Sequence, residues 1–410
     1  MKVLLVNWSW FPSGGDWTYI ENVQKLYESK GYEIIPFSTN NYKNIPSPYS
    51  KYFVNTYDFK ELNKHKNISN GIKVLRTSII SEDALNKLEI LLNEHDIKIA
   101  HLNNIHHYIT PAILEILKKR GIKIIWTLHD FKIICPENSF ISNGKLCEKC
   151  ITGHFYHCAA NRCKKQSFLA SSIAGFEAYY YHKKHIYDLV DYFLCPSEFL
   201  SKKFVQFGFK ESQMLITNSC YDISLIDNFI ANNSSFGNGI NNEKYVLYIG
   251  RLENIKGVHT LIDSVIGTDI KLKIVGAGVA EEQLKKMAVG QENIEFLGFK
   301  HKNDVFKLTM EALFVVCPSI CYENLPFSVI ESFLFSKPVV GSDIGGIPEL
   351  VLDGETGLLF EAGNSAHLCE KMSYLWNNEN IVAQFGKAAR EHAYNMVNYS
   401  THWNKLQSVL

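Results

Sequence analysis

The sequence predicts an α/β protein with two domains, each built on a parallel sheet that helices cover on both faces. Short runs rich in Val, Ile and Leu alternate with amphipathic stretches along nearly all of the 410 residues. Strands that are buried on both faces have such continuous apolar runs, which are typical of parallel sheets. The chain is also longer than one hydrophobic core usually supports. Two Rossmann-like domains are therefore expected, with ligands at the carboxyl ends of their strands.

The elements of the first half follow this pattern from the first residue. MKVLLVNW predicts a strand, WTYIENVQKLYESKG predicts a helix closed by Gly31, and YEIIPFST predicts the next strand. KIAHLNN and KIIWTLHD predict two further strands, with a helix between them at about 111–119. This order is that of a parallel sheet whose strands are joined by helices.

The second half repeats the architecture without repeating the sequence. Its helices are predicted at 257–267, 280–288 and 326–335. The apolar runs that predict its strands are YVLYI, KLKIV, NIEFLGF, ALFVVCPS, PVVGSD and GLLFEAG.

A turn-rich, weakly apolar run, ANNSSFGNG, separates the two series at Ala231–Gly239. The predicted domains are residues 1–220 and 221–390. The final residues, 391–410, are amphipathic and are expected to form a helix that returns to the first domain.

Composition and charge narrow the class of protein. Apolar residues make up 46% and charged residues 20%, which argues against a disordered chain. No apolar run approaches the roughly 20 residues that span a bilayer, and the start is expected to be a buried strand, so we expect a cytoplasmic protein. Residues 1–220 hold 27 Lys and Arg against 20 acids, and residues 221–410 hold 15 against 22. The basic first half favours an anionic surface or substrate, although heavy use of Lys alone is an alternative explanation.

Arg251 and Lys256 are the first pair of residues that indicate a binding site. They lie five residues apart in GRLENIKG, directly after the strand YVLYI and before a helix. A guanidinium, an ammonium and the N–H groups of a helix start all favour the oxygens of a diphosphate. An ordinary solvated turn is the alternative interpretation.

Glu323 and Glu331 form the second such pair, in ENLPFSVIE. Pro326 can begin a helix there. Glu323 would then precede the helix while Glu331 lies within it, on an otherwise apolar stretch. One carboxylate can meet sugar hydroxyls while N–H groups of the loop meet phosphate. An acidic first turn favoured by the helix dipole would explain Glu323 equally well.

Together these motifs resemble those of the family 4 glycosyltransferases, which are retaining enzymes with the GT-B fold, two Rossmann-like domains that face a central cleft. The resemblance covers nearly the whole chain. It rests on Gly14-Gly15 after the first strand, HLNNIHH followed by TLHD, Arg251 with Lys256, Glu323 with Glu331 (E-x7-E), and GSDIGGIPELVLDGETGLLF at 341–360.

The resemblance implies a role for each matching residue. Arg251 and Lys256 would hold the pyrophosphate, Glu331 the ribose and Glu323 the hydroxyls of the donor sugar, while His129 would act on that sugar. The residues implied for catalysis are His129, Arg251, Lys256 and Glu323, and those implied for the nucleotide sugar are Gly14, Gly15, Arg251, Lys256, Gly276, Asn324, Leu325, Pro326 and Glu331. Neither Glu is expected to be a nucleophile, and no catalytic metal is expected.

The histidines after the strands of the first domain are assigned to the acceptor side. These are His106 and His107, with Asp130 beside His129. His129 ends the strand KIIWTL, where a strand terminus faces the ligand. For each His a structural hydrogen bond to local backbone is the alternative. Asp130 either orients His129 or caps the segment that follows.

A cysteine-rich insertion at about 135–163 departs from the common family pattern. Cys147, Cys150, Cys158 and Cys163 have the spacing C-x2-C-x7-C-x4-C, which predicts a structural zinc site. Cys135, His154 and His157 compete as ligands, and reduced thiols or disulfides are the alternatives. A nucleic-acid-binding role is not expected, because the basic residues are balanced by acids.

The expected function is transfer of a hexose or N-acetylhexosamine, with retention, in the synthesis of a bacterial surface polysaccharide. A UDP-sugar is the favoured donor and a GDP-sugar the second choice. The acceptor would be a glycan or a polyprenyl-diphosphate-linked glycan. The Lys- and aromatic-rich stretch 164–187 suggests peripheral contact with the inner face of the membrane. A nucleotide-sugar 2-epimerase of the same architecture and a non-catalytic binding protein are the alternatives.

Overall fold

The computed structural model describes residues 1–56, 79–106, 108–233 and 243–410. The chain divides into two compact units. Unit 1 comprises Met1–Cys220 and His402–Leu410, and unit 2 comprises Tyr221–Thr401. Most of the turn-rich run expected to separate the domains lies outside the described residues.

Unit 1 is built on a six-stranded parallel sheet with the order β2-β1-β3-β4-β7-β8. An isolated parallel bridge between Thr39 and Val54 lies just beyond β2. The strands are β1 (Lys2–Val6), β2 (Glu33–Phe37), β3 (Ile97–Leu102), β4 (Lys123–Thr127), β7 (Tyr192–Cys195) and β8 (Met214–Ile216). A small antiparallel hairpin, β5 (Ile141–Ser142) and β6 (Lys145–Leu146), stands apart from the sheet.

The helices of unit 1 connect these strands. They are α1 (Gly15–Ser29), α2 (Glu82–Glu94), α3 (Ile113–Lys119), α4 (Tyr156–Ala160), α5 (Phe168–Lys183) and α6 (Glu198–Gln206). Helix α1 begins after Gly14, whose φ of 142° is open to glycine but strained for other residues.

Unit 2 has a second six-stranded parallel sheet, with the order β11-β10-β9-β12-β13-β14. Its strands are β9 (Val246–Ile249), β10 (Leu272–Val275), β11 (Ile294–Gly298), β12 (Phe314–Cys317), β13 (Val339–Ser342) and β14 (Gly357–Phe360). Its helices are α7 (Ile223–Asn233), α8 (Val258–Val265), α9 (Glu281–Met287), α10 (Lys302–Glu311), α11 (Phe327–Leu334), α12 (Ile347–Leu350), α13 (Ser365–Asn377) and α14 (Glu379–Val397). The two parallel sheets confirm the predicted fold class.

The return of the chain to unit 1 begins later than predicted. The sequence placed it at residue 391, whereas α14 belongs to unit 2 up to its end, because Ala389, Ala393 and Val397 are buried in that unit's core. The return occurs within α15 (Tyr399–Gln407). There Trp403 packs edge-on against Tyr27, with ring centroids 6.1 Å apart.

Neither unit contains a helix, within the described ranges, that has the length and apolar character needed to cross a membrane.

Candidate active site

The candidate site of unit 2 lies where the direction of strand order reverses. Strand β9 is joined through α8 to β10 on one side, and β12 lies on its other side, so the loops after β9 and β12 flank an open crevice. Ligands of open α/β sheets bind at such a switch point. The loop after β9 carries Arg251 and Lys256, and the loop after β12 leads to Glu323. The topology therefore brings together two motifs that are 67 residues apart.

Gly257 allows these two loops to touch. It has a φ of +69°, and a Cβ added there would lie 1.8 Å from the Pro318 carbonyl oxygen. Ile320 also donates a backbone hydrogen bond of 3.0 Å to the carbonyl of Ile255. No larger residue fits at position 257 without moving one loop away from the other.

Lys256 and Glu323 form an ion pair at this junction. The Lys256 Nζ lies 2.6 Å from Glu323 Oε1, and their side chains are 20% and 13% exposed. The Ser319 hydroxyl donates to the same oxygen at 2.5 Å. Burial alone would raise the pKa of Glu323, but the Lys256 ammonium and the Ser319 hydroxyl hold it below its usual value. The carboxylate is therefore charged at neutral pH and can accept hydrogen bonds from sugar hydroxyls.

Arg251 provides the exposed positive charge of the site. Its side chain is 68% exposed, and Nη1 lies 2.7 Å from Glu253 Oε1. An exposed pair of this kind contributes little to stability, roughly 0–1 kcal/mol. The guanidinium can therefore exchange this partner for a phosphate at small cost.

Glu331 lies on α11, one helix turn or more beyond the loop that carries Glu323. The Tyr221 hydroxyl donates to Glu331 Oε1 at 2.7 Å. Burial raises the pKa of Glu331, and the Tyr221 hydroxyl and the Lys302 ammonium offset this only in part. Asn324, Leu325 and Pro326 form the entry to α11, whose first N–H groups have no acceptor within the helix.

Glycines keep the surrounding backbone close together. A Cβ at Gly276 would lie 1.8 Å from the carbonyl oxygen of Gly250, so Gly276 lets the ends of β9 and β10 approach. A Cβ at Gly346 would lie 1.9 Å from the Asn324 carbonyl oxygen, and Gly346 donates to the Glu323 carbonyl at 2.7 Å. The predicted GSDIGG segment therefore fixes the backbone of Glu323.

In unit 1, His129 follows β4 and pairs with Asn103, which follows β3. His129 Nε2 lies 2.9 Å from Asn103 Oδ1, and the Asn103 amide group donates to the Val6 carbonyl at 3.3 Å. With the amide so oriented, Oδ1 accepts from Nε2–H, which leaves Nδ1 as the hydrogen-bond acceptor. Burial lowers the pKa of His129 to about 4, although Asp16 raises it, so the ring is neutral at pH 7.

Asp16 brings a negative charge to the glycine loop. Trp8 Nε1 and Asn104 Nδ2 each donate to Asp16 Oδ2 at 3.2 Å. Gly14 and Gly15 precede this carboxylate at the start of α1. They lie in the expected loop, but the fixed carboxylate makes it less favourable for a phosphate than the sequence alone suggested.

The remaining acceptor-side predictions have different outcomes. Asp130 Oδ1 accepts the backbone N–H of Lys132 at 2.8 Å, so it caps the following turn. His106 is only 8% exposed, and its ring packs against Trp126 at 5.3 Å. His107 lies outside the described residues.

The predicted zinc ligands lie around one small cavity. Cys147, Cys150, Cys158 and Cys163 all line it, together with Cys135 and His157, and its volume is about 10 Å³. All of these cysteines are free thiols. Across the described ranges, no three or more His, Cys, Asp or Glu side chains are arranged as a metal-binding group.

Sequence reasoning missed Ser319, Tyr221, Asn103 and Asp16. Ser319 and Asn103 each follow the end of a strand, so the rule that ligands bind at strand ends could have found them. Tyr221 lies 110 residues from Glu331, and no local pattern indicates that contact.

Comparison with known proteins identifies the second half of the chain. Residues 231–392 match the family of glycosyl transferases group 1. An uncharacterized glycosyltransferase of Methanocaldococcus jannaschii is 29% identical over 212 residues, which is 49% of this chain and 60% of that protein. The phosphatidyl-myo-inositol mannosyltransferase of Mycobacterium leprae is 36% identical over 167 residues, 38% of this chain and 44% of that protein. The chain therefore spans less than two thirds of the length of these relatives.

A solved structure matches the chain from end to end. The Anabaena protein HepE in complex with UDP and glucose has a TM-score of 0.64 at 17% identity, over 100% of this chain and 98% of that one. At this identity the match shows the fold, and it confirms the GT-B fold predicted from the motifs. The chain thus combines the GT-B fold with a segment, residues 231–392, that matches the group 1 glycosyl transferases.

Proposed function

We propose that the protein transfers a hexose or N-acetylhexosamine from a nucleoside diphosphate sugar to a glycan acceptor in polysaccharide or glycolipid synthesis. The observation that carries the proposal is the Lys256–Glu323 pair beside Arg251 at the switch point of unit 2. Arg251 and Lys256 supply two cations that can bind a diphosphate. Next to them, the ionised Glu323 carboxylate can accept hydrogen bonds from sugar hydroxyls. Such a set fits a sugar linked to a diphosphate.

In the proposed reaction, the bond between the sugar C1 and the phosphate oxygen breaks as the bond between C1 and the acceptor oxygen forms. Arg251 and Lys256 stabilise the negative charge that develops on the leaving diphosphate. The proton of the acceptor hydroxyl passes to an oxygen of that diphosphate. Attack on the same face of the sugar gives retention, with no carboxylate nucleophile. In unit 1, the neutral His129 keeps Nδ1 as an acceptor for the hydrogen bond of a hydroxyl group.

A UDP-sugar is the donor we favour. The similar HepE structure holds UDP and glucose, which supports this choice. The Arg251 and Lys256 side chains recognise only the diphosphate, so a GDP-sugar would use the same two cations.

The first test is a thermal-shift panel of UDP, GDP, ADP and dTDP, free and as sugar conjugates. A ligand at about 100 times its Kd should stabilise the protein by about 2.7 kcal/mol. Arg251→Ala should lose the shift. Lys271→Ala is the matched control, because Lys271 directly precedes β10, at the amino end of the strand rather than the carboxyl end, and its ion pair with Glu243 is exposed. No shift with any nucleotide would count against the proposal.

Product analysis separates the alternatives. A transferase releases nucleoside diphosphate only in step with glycosylation of an acceptor, and the anomeric configuration of the product reports retention by NMR. An epimerase would change the sugar without an acceptor, and a non-catalytic binding protein would bind the nucleotide without turnover. An inverted product would refute retention while leaving sugar transfer intact.

A lipid-linked acceptor is the finer proposal, and α5 supports it. One face of this helix is buried through Ala174, Ala178 and Tyr181. Its other face exposes apolar side chains that are 49–69% accessible, namely Phe168, Leu169, Phe176 and Tyr179. Exposed Lys165 and Lys183 flank the two ends of the helix. An apolar face between cations fits the surface of an anionic membrane.

Sedimentation with vesicles tests this surface. We expect binding to phosphatidylglycerol-containing vesicles but not to pure phosphatidylcholine vesicles. The double variant Phe168→Ser/Leu169→Ser should weaken binding. Val279→Ser, which alters a 95% exposed apolar residue of unit 2, should not. Binding that the double variant leaves unchanged would contradict the role of α5.

A further inference from the structure

The segment between β4 and α5 contains little regular secondary structure. Its regular elements are the two-residue strands β5 and β6, a short 3-10 turn at Ile151–Gly153 and the five-residue helix α4. The buried cluster beneath it consists of Cys150, Phe155, Cys158, Ala174 and Ala178, with Cys163 and Phe207 packed against it. Three of these seven residues are cysteines. The hairpin and α4 are too short to be stable by themselves, and small elements of this kind usually need a cross-link or a metal.

The backbone brings the cysteines of this segment to one place. Cys147 donates its N–H to the Phe140 carbonyl at 2.7 Å, which sets it beside the hairpin. Cys163 donates its N–H to the Cys158 carbonyl at 3.1 Å, and its thiol lies 3.6 Å from the Ser142 hydroxyl. As a result, five thiols and the His157 ring line the same cavity of about 10 Å³. That volume is about the space of one water molecule or one ion.

The chemistry of this lining favours a soft divalent cation. Five thiols and one imidazole line the cavity, and sulfur and nitrogen are the ligand atoms that zinc prefers in structural sites. A zinc ion displaces the thiol protons and binds the thiolates, so their mutual repulsion is replaced by attraction to the metal.

We infer that this cavity is a structural zinc site whose ligands are Cys147, Cys150, Cys158 and Cys163. One Zn²⁺ binds the four thiolates, and four protons are released to solvent. Because no metal-binding arrangement of side chains exists across the described ranges, the thiols must turn toward the centre of the cavity as the ion binds. Cys135 remains a buried neighbour of the site.

The site would stabilise the segment that begins beside His129. Asp130 caps the turn through Lys132, and Lys132 pairs with Glu177 of α5 at 3.0 Å. Cys135 then donates its N–H to the Phe131 carbonyl at 2.7 Å. Zinc would thus connect the hairpin and α4 to the turn that leaves the end of β4, at a distance from the sugar chemistry.

The test measures metal content of the full chain, purified without a His tag or chelator. Elemental analysis should find about one zinc per chain, and essentially none in Cys147→Ser or Cys158→Ser. Cys369→Ser is the matched control, because Cys369 is a partly exposed thiol in unit 2. Cys135→Ser should also keep its zinc, which separates the four proposed ligands from their neighbour.

Two measurements on the wild-type chain keep the test decisive even if a cysteine variant does not fold. Cobalt exchanged for zinc should give the thiolate-to-cobalt charge-transfer absorption of a tetrahedral site. A thiol reagent should modify the four ligands only after a chelator removes the metal. Iron in place of zinc, disulfides in the intact mass, or immediate reaction of all the cluster thiols would each overturn the proposal.

Discussion

The two units share a sheet architecture but differ in the groups that their strand ends present. In unit 2 the switch point carries a partly buried ion pair, Lys256–Glu323, with exposed Arg251 beside it. In unit 1 the corresponding ends carry a neutral pair, His129–Asn103, and the carboxylate of Asp16. The same topology therefore presents Lys and Arg at the strand ends of one unit and a neutral pair with a carboxylate at those of the other. Topology determines where a ligand binds, and the side chains determine which ligand.

The largest expected effect is the loss of activity when the Lys256 ammonium of unit 2 is removed. Lys256→Ala removes one of the two proposed phosphate ligands and leaves the partly buried Glu323 without its cation. We expect kcat/KM to fall about 100- to 1,000-fold, as for loss of a group that stabilises transition-state charge. Steady-state kinetics measure this, with Lys271→Ala as the control. A loss below about tenfold would mean that the charge contrast between the units does not drive catalysis.

The next effect tests the close contact of the two loops of unit 2. Gly257→Ala places a Cβ 1.8 Å from the Pro318 carbonyl, so we expect a loss of about 3 kcal/mol in the free energy of unfolding. Gly267→Ala is the matched control: its φ of +75° is similar, but no atom lies within 4 Å of the added Cβ. It should cost only about 1 kcal/mol. Denaturant unfolding measures both, and equal losses would show that the contact is unimportant.

The two units should also differ in how much stability they lose in acid, because unit 1 holds the more deeply buried histidines. Burial lowers the pKa of His101 to about 3 and of His402 to about 4, from 6.5 in the unfolded chain. The unfolded chain therefore takes up protons first as the pH falls. Stability is complete above pH 6.5 and is lost as the pH falls toward 4, by up to about 1.4 kcal/mol per pH unit for each group.

Fluorescence can follow unit 1 selectively, because of the six Trp residues only Trp376 lies in unit 2. Denaturant midpoints measured by fluorescence should drop between pH 7 and pH 5. His101→Gln keeps hydrogen-bonding groups for Tyr27 and Thr127 but cannot titrate, so its midpoint should drop less. The lowered pKa of His392 predicts a weaker response in unit 2. An unchanged pH dependence in the variant would contradict this account.

The smallest expected effect comes from breaking the exposed Arg251–Glu253 ion pair of unit 2. Glu253→Gln removes the carboxylate that Arg251 contacts at 2.7 Å. Because the guanidinium is mostly exposed, stability should change by less than about 0.5 kcal/mol. Nucleotide affinity should rise slightly, since Arg251 no longer exchanges one anion for another. Calorimetric titration with the nucleotide checks this, and a weaker Kd would mean that Glu253 orients Arg251 for its ligand.

Local patterns were sufficient for the fold and for part of the site. Apolar runs and turn residues predicted the two sheets, because strands that are buried on both faces consist of nearly continuous apolar residues. The strand-to-helix turns likewise located Arg251 and Lys256. The direct pairing of Lys256 with Glu323 was not predicted, since it depends on β9 and β12 lying side by side.

Other features depend on tertiary contacts that no local pattern shows. The burial of His106 against Trp126 and the fixed carboxylate of Asp16 are two examples. The cysteine spacing predicted that four thiols would lie together, with Cys135 and His157 as competing ligands, and both of these also line the cavity. The sequence also did not predict that α14 belongs to unit 2 up to its end. The amphipathic pattern continues from α14 into α15, although α14 packs in unit 2 and α15 in unit 1.

The return of the chain to unit 1 has a consequence for folding during synthesis. His402 lies in the core of unit 1, close to the Tyr19 hydroxyl and the Thr217 carbonyl, and it is completely buried. The ribosome makes residues 402–410 only after all of unit 2. Unit 1, although most of it is synthesised first, therefore keeps a gap where α15 will pack until unit 2 has been made. In a nascent chain the earlier unit cannot complete its core before the later one has been synthesised.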